Sequence, residues 1–253
     1  MTFSEEELEV IVGECLDNFY NRRLQKLNKL TPRSAFRRKN PYLFKAIGTV
    51  NASELIKQIL TAYMSSSDEG IFGDEFFEPL VKKVSGGKVS IGTGLDVEIH
   101  TEKSIKAIAV KSGTSVFNSS SKENQNKKFS QARKILFKEQ KKFDGVIGYC
   151  YGNKEFRTGD QFLYREVAGQ EFWKELTEDP NFYLKIIKFM KDRPEKHKAA
   201  FEEAWNKAEN RFLREFLINF SDEQGVINWE AYVEFNSGKE GFKKYKSASK
   251  KNK

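Results

Sequence analysis

Asp96 and Glu98 stand two residues apart in an alternating run, Gly92-Thr-Gly-Leu-Asp-Val-Glu-Ile-His100, and a second apolar run, Ile105-Lys-Ala-Ile-Ala-Val-Lys111, ends on a lysine. Alternation of period two marks a half-buried β-strand, and Thr101 to Ser104 is short and polar enough to turn between two such strands. Paired in that way, the strands set an acid and a lysine side by side at one end of a sheet. Such a pair suits hydrolysis of a phosphodiester, in which a hard divalent cation, usually Mg²⁺, is held by carboxylates and backbone carbonyls beside the scissile phosphate. Asp96 would supply the carboxylate, and Lys111 would orient the attacking water and offset charge building on the phosphate. The bare pair also fits a solvated strand face with Leu95, Val97 and Ile99 turned to the core, so the surrounding sequence has to carry the argument.

Gly94-Leu-Asp96 followed by Ala109-Val-Lys111 resembles the PD-(D/E)xK nuclease motif. The resemblance extends to Lys39-Asn-Pro-Tyr-Leu-Phe-Lys45, to Ser65-Ser-Ser-Asp-Glu69 leading into Phe72-Gly73, to Lys111-Ser-Gly113 leading into Asn118-Ser-Ser120, and to Gly169-Gln-Glu-Phe-Trp173. Over residues 39 to 190 the chain is similar to type II restriction endonucleases of the PmeII-like group. That likeness implies sequence-specific, Mg²⁺-dependent cleavage of double-stranded DNA leaving 5′-phosphates, usually by a homodimer, with a cognate DNA methyltransferase encoded separately and acting on the same site. One position departs from the motif: the family carries Asp or Glu where this chain has Ala109. The second carboxylate would then come from elsewhere, and the acidic stretch Asp68 to Glu78 lies just upstream. Among Glu69, Asp74, Glu75 and Glu78 we favour Glu78, then Glu75, while Glu98 would share a strand face with Asp96. Val110 could add a backbone carbonyl to the metal.

Composition bounds these readings without producing them. A chain of 253 residues can bury a sizeable core, and a formal charge of +8 favours an anionic partner, nucleic acid ahead of a membrane. The two cysteines, Cys15 and Cys150, lie far apart in apolar surroundings and suggest buried free thiols, neither a disulfide framework nor a zinc site. Two histidines, His100 and His197, are too few for a histidine-based hydrolase. No apolar run reaches the roughly twenty residues that span a bilayer, and the acidic Glu5-Glu-Glu7 start argues against a signal peptide, so a cytoplasmic protein is expected.

Several elements must position the pair. Phe3 to about Leu30 reads as one long amphipathic helix, Ser53 to Tyr63 as a second and Asp68 to Lys83 as an acidic third, with Pro79 set to kink or end it. Thr31 to Pro41 reads as a basic loop in which Arg33, Arg37, Arg38 and Lys39 flank Phe36 and suit phosphate contacts. After Lys111, a small polar loop carrying Ser112, Thr114, Ser115 and Asn118 would let backbone approach DNA closely. Lys122 to Lys142 should be a basic helix whose Lys127 and Lys128 track a DNA backbone, and Asp144 to Tyr151 a central parallel strand. Arg157, Gln161 and Arg165 are candidates to read bases, since Arg pairs naturally with guanine and Gln with adenine. Helices should follow from Gly169, Asn181 and Glu195, Trp229 to Phe235 should be a short strand or helix, and the lysines beyond Gly238 should form a disordered basic tail.

The expected architecture is an α/β, restriction-endonuclease-like mixed central sheet flanked by helices, with additional helices at both ends. Residues 1–40 would be a helical extension, 41–240 the nuclease domain and 241–253 the tail. Two other functions fit the same residues: a structure-specific repair or recombination nuclease, and a catalytically inactive DNA-binding protein, the latter prompted by Ala109.

Overall fold

The computed structural model describes residues 3–90, 94–114, 119–136, 139–153 and 162–247, apart from the side chains of Ser119, Ser120 and Phe242. Ser115, Asn118, Arg157 and Gln161 lie outside the described residues. Two compact units divide the chain, one made of Met1–Tyr20 and Glu69–Pro194, the other of Asn21–Asp68 and Glu195–Lys253. This division is not the linear one expected at residues 40 and 240.

The sheet belongs to the first unit. Its strands β1 (Lys88–Val89), β2 (Val97–His100), β3 (Ser104–Lys111), β4 (Lys142–Tyr149) and β5 (Arg165–Ala168) lie side by side in chain order. β1, β2 and β3 are antiparallel neighbours, whereas β3, β4 and β5 run parallel, so the sheet is mixed as expected. β5 was not foreseen as a strand. The register sets Val97 opposite Ile108 and Lys111 opposite Tyr149. A parallel pair needs a crossover, and the helix Ser119–Leu136 supplies it between β3 and β4. Its Phe129 and Ala132 pack on Leu95, Ala107, Ala109 and Ile147. The other sheet face carries Val97, Ile108, Val110 and Val146 against Leu8, Val12 and Leu16 of α1 (Glu5–Lys29) and against three further helices. At Gly148 a side chain is excluded, because a Cβ there would lie 2.0 Å from the Phe172 ring.

Helix starts follow local chemistry. Ser4 and Glu7 form a reciprocal capping box at the head of α1, each accepting the other's backbone N–H at 3.2 and 2.8 Å. The expected basic loop is instead two short helices, α2 (Pro32–Arg37) and α3 (Pro41–Ala46). Thr31 caps the first and Asn40 the second, and each proline occupies the first turn, where its missing N–H costs nothing. α4 (Ala52–Phe72) is capped by Asn51 and runs unbroken through Ser65-Ser-Ser67, which therefore does not start a helix; buried Met64 and Ile71 carry it past the serines. A π-helical turn, Gly73–Phe77, links α4 to α5 (Glu78–Val84), and the Glu78 N–H donates back to the Gly73 carbonyl. The wider turn accommodates Pro79, which can neither donate nor tolerate the carbonyl four residues earlier.

With the crossover helix numbered α6, the first unit is completed by α7 (Gly169–Thr177) and α8 (Phe182–Met190). The second unit is helical, built from parts of α1 and α4 with α2, α3, α9 (Arg193–Phe220), α10 (Trp229–Ser237) and α11 (Gly241–Lys244). Phe36 lies at its centre, fully buried, edge-on to Phe212, Phe216, Phe220 and Tyr232 at centroid distances of 5.5 to 6.4 Å. The stretch up to Ser247 is docked, correcting the expectation of a disordered tail from 241: the Tyr245 hydroxyl donates to buried Glu215 at 2.7 Å, and Lys246 exchanges backbone hydrogen bonds with the Asn219 amide.

Candidate active site

Asp96 sits one residue before β2, its backbone N–H donating to the Ile108 carbonyl at 2.8 Å. That bond fixes the residue, and the side chain is fixed in turn: Asp96 Oδ2 accepts the Val110 backbone N–H at 2.7 Å. Lys111, at the carboxyl end of β3, donates from Nζ to the Val110 carbonyl at 2.7 Å and stands 3.8 Å from Asp96 Oδ2. Both side chains remain partly exposed.

α5 brings a second carboxylate to this end of the sheet. Glu78 has its pKa pushed up to about 7, first by burial and then by the negative charges of Asp96 and Asp74, with Lys111 pulling the other way. Two clefts meet here. One of about 370 Å³ is lined by Glu69, Asp74, Glu78, Val110, Lys111 and Ser112 to Thr114; the other, of about 440 Å³, by Asp74, Glu78, Leu95 and Asp96. Asp74 and Glu78 form their shared wall. Glu75 lines neither cleft, although its charge reaches Glu78.

Glu98 is not brought to the clefts. It is fully buried, accepting from Ser90 Oγ at 2.6 Å and lying 3.1 Å from His100 Nε2. Its charge is met inside the sheet, which removes it from the set of carboxylates that face solvent with Asp96. Ala109 is equally informative. It is fully buried with Phe129, Ala132 and Ile147 under α6, so apolar packing fills the position where the motif would carry an acid.

Of the expected DNA contacts, Ser112 and Thr114 line the first cleft beside Lys111. The Lys128 stem lies against Gly94, where a Cβ would come within 2.5 Å of it, and Gln125 donates to the Gly94 carbonyl, so α6 braces the turn that leads into Asp96. Lys127 is exposed on the same helix; Arg37 and Arg38 are exposed and Lys39 half-buried in the second unit. Arg165 is tied up elsewhere: it donates to both Asp144 oxygens at 3.1 and 3.0 Å and to Glu175 at 2.7 Å. Burial alone would raise the Glu175 pKa, but hydrogen bonds from Arg165 and Lys106 outweigh it and hold the group at about 2. A guanidinium so committed is a brace between β4, β5 and α7, not a free base reader.

Tyr151 escaped the sequence reading. Its N–H donates to the Ser112 carbonyl at 2.9 Å, its ring covers Gly113, and it lines the cleft with Lys111. A signal existed: in a parallel pair it falls just beyond the carboxyl end of β4, where open α/β sheets bind ligands.

Among the described residues no three Asp, Glu, His or Cys side chains gather to hold a metal ion. Asp96 and Glu78 line one cleft and feel each other's charge, and Val110 lines the adjoining cleft with Glu78, so the two carboxylates and the Val110 carbonyl are candidate donors. Mg²⁺ commonly takes one or two protein carboxylates and keeps several waters, so this set fits it, and the negative charge that raises the pKa of Glu78 is what a bound cation relieves. No described helix is long and apolar enough to cross a membrane.

Comparison with curated proteins finds no match. The family model of the type II restriction endonuclease EcoO109I matches residues 6–198, from the first turns of α1 through the whole sheet to the start of α9. With that match over most of its length, the chain belongs to the type II restriction endonuclease EcoO109I family.

Proposed function

We propose that this protein is a Mg²⁺-dependent type II restriction endonuclease that hydrolyses double-stranded DNA at a specific sequence and leaves 5′-phosphates, using a PD-(D/E)xK-type site of the PmeII-like kind. The observation that carries the reading is the locked pair: Asp96 held by the Val110 N–H, with Lys111 3.8 Å away and Glu78 close enough for their charges to interact. Asp96, Glu78 and the Val110 carbonyl would hold Mg²⁺, which when bound supplies Lewis acidity and an activated water. Lys111 is anchored through Val110 O, so its remaining protons can orient the attacking water and meet charge on a non-bridging phosphate oxygen. Ser112 and Thr114 offer hydroxyls to the adjoining phosphates. Attack in line breaks the bond to the 3′-oxygen, which leaves and takes a proton from solvent, and the phosphate stays on the 5′ side.

A chain that brings one such cleft among its described residues to two strands favours a homodimer, and a methyltransferase acting on the same sequence would protect host DNA in the cytoplasm. The test is digestion of unmethylated phage DNA by the protein and by Lys111→Ala, with Mg²⁺ or with EDTA. Discrete fragments that need Mg²⁺, have 5′-phosphate ends and fall at least a hundredfold in the variant are expected. A smear, or nicking only at junctions, would turn the reading to a structure-specific nuclease; tight binding without cutting, to an inactive binder.

A further inference from the structure

Beside the two clefts of the candidate site lies a further cavity, of about 610 Å³, within the first unit. Tyr151 lines both this cavity and the Lys111 cleft. Its floor is Cys150, whose N–H donates to the Lys111 carbonyl at 2.8 Å. The thiol is held well above its ordinary pKa by burial and feels the charges of Glu78, Lys111 and Asp96, so the floor of the cavity and the site share one short stretch of sheet edge. The walls are aromatic: Phe72, Phe77 and Trp173 on the inner side, Tyr151 and Tyr183 at the mouth, with Ile187 on the rim. Tyr151 is 52% exposed and Ile187 69%, an open apolar mouth beside a phosphodiester cleft. Asn153 and Gln170 line the same cavity, the Gln170 amide nitrogen donating to the Pro180 carbonyl at 2.9 Å and leaving its oxygen to accept.

Flat aromatic walls with amides at the edge match a nucleobase, which has two π faces and a rim of hydrogen-bonding groups. A base on a sugar next to the scissile phosphate is also the part of the substrate that lies nearest a cavity sharing the Tyr151 wall with the Lys111 cleft. Resting on the nuclease reading, we infer that this cavity is a subsite for one unstacked base of the strand being cut, with Tyr151 as the wall against which it stacks. An unpaired base enters more readily than a paired one, because leaving the helix costs stacking and pairing.

The test uses the full chain in Ca²⁺, with duplexes that carry a single mismatched 2-aminopurine at successive positions across the bound footprint. At one position the wild type should bind the mismatched duplex about tenfold more tightly than the fully paired one, with a several-fold change in 2-aminopurine emission. Tyr151→Ala should change that emission again and lose most of the preference. Ile187→Trp, a substitution at an exposed rim position that fills the mouth, should abolish both while its thermal melt stays with the wild type. Equal affinity for paired and mismatched duplexes at every position, or signals that both variants leave untouched, would overturn the inference. A change in sedimentation of Ile187→Trp with the base signals intact would assign the mouth to contact between copies of the chain and overturn it as well. Cleavage of plain DNA in Mg²⁺ is scored separately: cutting without base signals sinks the subsite alone, and base signals without cutting sink the nuclease reading alone.

Discussion

At the scale of single residues, the site rests on two charges kept close at some cost. Glu78 binds its proton at about 7 in the folded chain against an ordinary 4.5, because of burial and then the neighbouring Asp96 and Asp74. A carboxyl with a raised folded pKa favours folding when protonated, so its contribution is complete below about pH 4.5 and is lost as pH rises through about 7. In the absence of metal, Glu78→Gln should therefore melt higher than wild type at pH 8, by about 1–2 kcal/mol once solvent screening is allowed for, and the gap should close toward pH 4.5. Thermal denaturation across that range checks it; a gap that widens toward acid would contradict the assignment. Ala109 yields an opposite kind of prediction. Restoring the motif with Ala109→Asp would push a carboxylate among Phe129, Ala132 and Ile147. It should cost about 2–5 kcal/mol of stability and give no gain in cleavage, read by denaturant unfolding and by the rate of cutting.

The elements explain why Glu78, with Asp74, faces the Asp96 cleft and Glu75 does not. Regular helical spacing pairs Glu75 with Glu78 on one face, but the π-helical turn over Gly73–Phe77 breaks that spacing just before Pro79. What emerges on the cleft wall is Asp74 with Glu78, four apart, and Glu75 is turned away from both clefts. The same scale accounts for the two prolines misread as loop markers. Each follows a capping residue, Thr31 or Asn40, and a proline in the first turn begins a helix as readily as it ends one. Asn40→Ala removes an acceptor for the Tyr42 and Leu43 N–H groups and should lower stability by about 1 kcal/mol while leaving DNA cleavage unchanged. A change in cleavage larger than the change in folded fraction would show that α3 does more than pack.

Across the whole molecule, the sequence alone determined what depends on near neighbours. Adjacent alternating runs joined by a four-residue turn can hardly avoid pairing, and that pairing puts Asp96 and Lys111 at one sheet end; the long first helix, the parallel β4 and the helix from Glu195 were legible for the same reason, that their periodicity is local. Tertiary structure decided the rest, because burial and charge pairing join residues far apart in sequence. Phe36, placed by sequence in a basic loop and flanked by cations, became the centre of the second unit's core through rings nearly two hundred positions away. Glu98 and Arg165, plausible as ligand and base reader by type, were taken by Ser90 and His100 and by Asp144 and Glu175. Tyr245 was held by Glu215, thirty residues back, so lysine content misread a docked segment as a tail. Residue type says which interactions a side chain can make; only the fold decides which partner reaches it first, and the free energy of burying a charge or a ring then fixes that choice.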